Sequence, residues 1–77
     1  MENIIKIHRA IHNLTQGELA EKLGVSKGTV NAIEANKHVP SLETAMNMAK
    51  LFGKPVEEIF FLSKEDKVNF MILYKKQ

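Results

Sequence analysis

The chain has 77 residues, 9 acidic and 11 basic side chains, a net charge of +2 and no cysteine. That length makes one small domain with a modest core, and neither disulfides nor thiolate metal sites can support it, so packed helices or a partner subunit must. The charge is too small to announce nucleic acid by itself, the apolar runs are far too short to span a membrane, and MENIIKIHRA lacks the apolar core of a secretory signal.

Met1 to Asn13 contains a first helix, with Ile4, Ile5, His8, Ile11 and His12 near one side and Lys6 and Arg9 between them. His8 and His12 stand four apart, the spacing at which two imidazoles grip one metal. The residue beside the first is Arg9, which repels a cation, whereas a hydrolytic zinc helix wants a glutamate there. A pair of histidines on the helix surface is the better reading, and no metal site, cofactor or catalytic machinery is expected. His38, alone after Lys37, reads as a loop side chain near a ligand surface.

The stretch TQGELAEKLGVSKGTVNAIEANK, Thr15 to Lys37, organises the rest. Thr15 and Glu18 form a capping box, in which each side chain takes an orphan amide at the start of a helix. Leu19, Ala20 and Leu23 then share one face, and Gly24 stops the helix in the left-handed conformation. Val25 turns inward. Ser26 caps a second helix whose apolar anchors are Val30 and Ile33. A small residue at Ala20, a glycine at Gly24 and buried aliphatics at Val30 and Ile33 define a helix-turn-helix over 16–35. With those two anchors inward, Lys27, Gly28, Asn31 and Ala32 turn outward.

Pro40 ends a loop and Ser41 caps a fourth helix, on which Leu42, Ala45, Met48, Ala49 and Phe52 follow helical periodicity up to Gly53. Met46 and Met48 read as core filler. Pro55 fits the first turn of a fifth helix, with Glu57 and Glu58 near its N-terminus and Val56, Ile59 and Phe60 inward. Phe61 and Leu62 have no obvious cover. After the polar break SKEDK, the run VNFMILYKKQ permits a strand by its β-branched and aromatic content, and equally a helix by Val68, Met71 and Ile72. The division is a domain over 1–62 and a tail over 63–77. Phe61, Leu62, Phe70 and Ile72 are the expected anchors of a homodimer interface, and a tail folded back on its own subunit is the alternative.

The motif, followed by VPSLETAMNMAKLFGKPVEEIF, resembles the Cro/phage-repressor type of helix-turn-helix, the xenobiotic-response-element family of small prokaryotic regulators, from about Ile4 to Phe60. The resemblance implies an all-α fold, a compact five-helix phage-repressor-like domain with a short C-terminal extension. It also implies a cytoplasmic homodimeric repressor that sets its third helix into successive major grooves of double-stranded DNA. Lys27 then faces guanine, Asn31 faces adenine or a phosphate, and Ala32 offers a methyl group to thymine. Gly28 departs from the family, which usually places a long polar side chain there. Gln16 at a helix N-terminus, the hydroxyls of Ser26 and Thr29, and Asn36 and Lys37 surround the helix as phosphate-side contacts, with Asn36 taking the left-handed role that glycine commonly fills. The family pairs an arginine at the position of Arg9 with a glutamate at that of Glu34, so the two are expected to tie the first helix to the third; two solvated charges are the alternative. A second reading is an antitoxin that also grips a toxin protein through its apolar tail. A metal-dependent enzyme on His8 and His12 is a distant third.

Overall fold

The computed structural model describes residues 1–75. In chain order these form β1 (Glu2–Asn3), α1 (Ile5–Ile11), α2 (Gln16–Leu23), α3 (Lys27–Glu34), α4 (Leu42–Phe52), a 3-10 turn (Val56–Glu58), β2 (Phe60–Phe61) and α5 (Lys64–Lys75). Helices dominate, and the class is all-α.

Local chemistry sets the helix ends. Glu18 N–H donates to Thr15 Oγ1 at 3.0 Å and Thr15 N–H donates to Glu18 Oε1 at 2.9 Å, closing the capping box. That backbone bond from Thr15, with its hydroxyl next, holds the Glu18 carboxyl below its ordinary value. Ser26, Ser41 and Ser63 each accept from an amide three residues on, Thr29, Thr44 and Asp66. Gly24 (φ 72°) and Gly53 (φ 67°) close α2 and α4 in the left-handed region.

The core joins Ile5 of α1, Leu19 and Ala20 of α2, Val30 and Ile33 of α3, and Ala45, Met48 and Phe52 of α4, with Ile59 and Phe60 beneath. Ala20 is buried where α2 and α3 pack, which a larger side chain would wedge apart.

Several expectations are corrected. No fifth helix starts at Pro55: the chain makes three residues of 3-10 helix and then extends. β2 pairs antiparallel with β1, Glu2 opposite Phe61 and Asn3 opposite Phe60, and Ile4 N–H donates to Ile59 O at 2.9 Å. The aromatic pair Phe60–Phe61 suits a strand, and the N-terminal residues provide the partner. Leu42 is 75% exposed, because the core face of α4 begins at Ala45, one turn later. Ile11 and Met46 also face solvent. His8 is not on the surface: it is 3% exposed, stacked on Phe52 with ring centroids 5.2 Å apart, and its Nε2–H donates to the Glu58 carbonyl at 3.1 Å. His12 is exposed beside the same ring. Among the described residues no cluster of three His, Cys, Asp or Glu could hold a metal.

The run after residue 63 is helical, and α5 folds back onto the ribbon. The Phe70 ring lies 5.3 Å from that of Phe61, and Lys67 Nζ reaches Glu2 Oε1 at 3.4 Å. Of the side chains expected at a dimer interface, Phe61 is therefore buried in its own chain and Phe70 half-buried against it, while Leu62 and Ile72 are exposed. Among the described residues no helix is long and apolar enough to cross a membrane.

Candidate nucleic-acid interface

The position of α3 follows from its two anchors. Val30 and Ile33 are buried in the core cluster, where α3 packs on α2, which leaves Lys27, Gly28 and Asn31 exposed and Ala32 half-exposed on the outer face. Ser26 orders the first turn: its Oγ accepts from Thr29 N–H at 3.1 Å and shares a hydrogen bond with Thr29 Oγ1 at 2.9 Å. The Thr29 hydroxyl is thereby engaged within the turn, half-buried, and the Ser26 hydroxyl is exposed.

A polar relay runs beneath the helix. Arg9 Nε donates to Glu34 Oε2 at 2.6 Å and Arg9 Nη2 to Glu34 Oε1 at 3.2 Å, a fork-on-carboxylate pair. Arg9 Nη1 also donates to the Leu14 carbonyl at 3.0 Å. Glu34 Oε1 accepts a further bond from Gln16 Nε2 at 3.0 Å, and Gln16 Oε1 faces Asn31 Nδ2 at 3.4 Å. The relay joins α1, the α1–α2 turn, α2 and α3 and ends on an outward side chain. The Gln16 side chain is half-buried between Glu34 and Asn31, so what it leaves open is the N-terminal end of α2.

At the other end of α3 the chain turns sharply. Asn36 has φ 62°, its N–H donates to Ile33 O at 3.1 Å, and Lys37 N–H donates to Ala32 O at 2.9 Å, the pattern of a Schellman cap. The Asn36 side chain is held by the fold: its Oδ1 accepts from Asn3 Nδ2 at 3.1 Å and its Nδ2 donates to Glu2 Oε2 at 3.0 Å. Lys37 is exposed. Among the described residues neither Lys27 nor Lys37 enters an ion pair, the two pairs being Arg9–Glu34 and Lys67–Glu2.

Sequence reasoning missed Glu2 and Asn3. An asparagine just ahead of a helix signals a local cap, and Asn3 Oδ1 does accept from Ile5 N–H at 3.1 Å. Its other bonds reach across thirty and thirty-three residues of the chain, which no local pattern reveals. The face as a whole offers two ammonium groups, an amide and free helix-start amides, a set suited to phosphate oxygens and base edges.

Comparison with known proteins agrees with this geometry. The model of the helix-turn-helix family matches residues 4–59. An HTH-type transcriptional regulator of Methanocaldococcus jannaschii is 50% identical over 66 residues, covering 86% of this chain and 100% of its own. The HTH-type transcriptional regulator YgzD of Bacillus subtilis is 39% identical over 66 residues, again 86% of this chain and 100% of its own. The cryptic phage CTXphi transcriptional repressor RstR of Vibrio cholerae is 39% identical over 51 residues, 66% of this chain and 46% of its own. The matched span carries the capped helix pair, the part-buried arginine–glutamate tie and the outward face of α3, and the chain belongs to the Cro/C1-type helix-turn-helix family of DNA-binding transcription regulators.

Proposed function

We propose that this chain is a sequence-specific repressor that binds an inverted-repeat operator as a homodimer in the prokaryotic cytoplasm. The observation that carries the reading is the outer face of α3: Lys27 and Asn31 stand exposed on a helix whose orientation is fixed from below by Arg9, Glu34 and Gln16. In this reading Lys27 donates to guanine O6 or N7, and Asn31, steadied through Gln16, pairs with adenine or a phosphate. Ala32 meets a thymine methyl. Lys37, the open end of α2 at Gln16 and the hydroxyl of Ser26 take phosphates, with Thr29 ordering Ser26. Gly28 contributes no side chain and lets the backbone come close. Asn36 acts through its turn.

Homodimerisation is supported by an apolar surface that one chain leaves open. Met1, Val39, Leu42, Val56 and Phe60 line one shallow depression, and Met1, Val56, Phe60, Phe61 and Leu62 line its neighbour. Leu42 and Leu62, the latter 86% exposed, stand at their rims. Ile72 adds exposed apolar surface on α5. In the proposed dimer the two α3 helices lie on one side of a duplex, with half-sites about 34 Å apart. The phage repressor named among the relatives supports repression over activation.

Selection of bound duplexes from a random pool tests the reading. Enrichment of a two-fold-related sequence is the expected result, and Asn31→Ala should flatten the preference at one base pair per half-site. A pool that stays random would overturn sequence-specific binding, and enrichment of single, unpaired half-sites would overturn the dimer.

A further inference from the structure

The turn after α3 is held from outside by a residue that the DNA reading does not use. Asn3 lies in β1, is buried, and spends its whole carboxamide on the fold. Its Oδ1 accepts from Ile5 N–H at 3.1 Å, and its Nδ2 donates to Ile33 O at 3.0 Å and to Asn36 Oδ1 at 3.1 Å. We infer that Asn3 is a positioning residue for DNA binding, which locks the left-handed turn at Asn36 and so sets the direction from which Lys37 meets the phosphate backbone. The inference rests on the reading of Lys37 as a phosphate contact.

The geometry carries this in steps. A residue other than glycine is uncommon at φ 62°, asparagine being among the few that tolerate it, and bonds to its side chain favour it there. Asn36 receives them from two consecutive residues of one strand: Asn3 donates to its Oδ1, and Glu2 Oε2 accepts from its Nδ2 at 3.0 Å. Asn3 grips both sides of the turn at once, because Ile33 O belongs to the last turn of α3 and Asn36 lies beyond it. The grip is stiff. The Asn3 backbone pairs with Phe60 in the ribbon, and its Oδ1 is tied to the start of α1. Lys37 follows directly, its N–H on Ala32 O at 2.9 Å, so its Cα takes its direction from the turn. A lysine carried on a loosened turn spreads its ammonium over many positions, and ordering it on a phosphate then costs more entropy.

The test is a double-mutant cycle on the full chain, using a mixed-sequence 20-base-pair duplex as probe, with Kd measured across a salt series. Lys37→Ala comes first and should lower the slope of log Kd against log salt by about 1, the loss of one phosphate contact. A slope unchanged by Lys37→Ala removes the phosphate reading, and the inference with it. Given that loss, Asn3→Ala should give up most of the same slope, and the double variant should bind no more weakly than Lys37→Ala alone. Amide exchange at Lys37 should speed up in Asn3→Ala relative to that at Val30. Additive losses, or a wild-type slope in a folded Asn3→Ala, would overturn the role. Should Asn3→Ala fail to fold, Asn3→Ser supplies the same readouts. Its hydroxyl still accepts from Ile5 N–H and is too short to reach Ile33 O.

Discussion

The Glu34 side chain is only 2% exposed, and its carboxylate accepts three hydrogen bonds from Arg9 and Gln16, two of them from a guanidinium fork. A buried carboxylate that loses such a partner keeps its desolvation cost without the compensating attraction. Arg9 is itself 17% exposed, so the pair sits at the edge of the core, and the lower end of the usual range applies. Arg9→Ala should destabilise the domain by about 3 kcal/mol, a fall in Tm of roughly 12–24 °C in thermal denaturation. An unchanged Tm would mean that the pair carries no net stability. The pairing was expected from the two residue types at family positions. The share taken by Gln16, and through it the orientation of Asn31, was not, because side-chain networks between elements leave no mark on local periodicity.

At the scale of the elements, capping chemistry decides where each helix begins and ends. Gly24 and Gly28, four residues apart, answer to opposite rules. At Gly24, φ 72° penalises any side chain, although nothing lies within 4 Å of where a Cβ would stand. Gly24→Ala should therefore cost about 1–2 kcal/mol through backbone strain alone. Gly28 is helical, and the nearest atom to an added Cβ is Ser26 Oγ at 3.8 Å, an ordinary contact. Gly28→Ala should stabilise α3 by up to about 1 kcal/mol. Urea unfolding midpoints moving in opposite directions check both, and a shift of the same sign in the two variants would refute the assignment. Helix ends of this kind are legible in the sequence because the cap and its partner lie within a few residues of one another. The stretch after Pro55 was misread for the converse reason. Glu57, Glu58 and Ile59 suit a helix locally, yet the extended form at Phe60–Phe61 gains a partner in Glu2–Asn3, more than fifty residues away along the chain.

Across the whole molecule, the ribbon of β1 and β2 joins the first helix to the last. β1 and β2 pair, α5 packs over them through Phe70, and Phe61 is covered by its own chain. One apolar surface that stays open lies around Met1, Val39, Leu42, Val56 and Leu62, and a small monomer rarely leaves such a surface to water. Replacing Leu42 and Leu62 together by glutamate adds charge there without touching the core. If that surface joins the proposed dimer, sedimentation should then report the monomer mass with helical circular dichroism unchanged, and operator affinity should fall at least tenfold as a paired grip is lost. A double variant that keeps the dimer mass would move the interface elsewhere, with the exposed face of α5 around Val68 and Ile72 the next surface to examine.

The order of residues alone determined the helix pair, its caps, the inward set at Ala20, Val30 and Ile33 and the outward set at Lys27 and Asn31. These follow from hydrogen bonds and side-chain periodicities that act over one to four residues. Tertiary structure alone decided that Pro55 opens a single turn and a strand, that His8 is a core residue bonded to Glu58 O, that α5 is a helix folded back on the ribbon, and that Asn3 and Glu2 grip the turn beyond α3. Each of those outcomes turns on a bond or a packed ring between segments distant along the chain, and its free energy exists only once folding has brought them together.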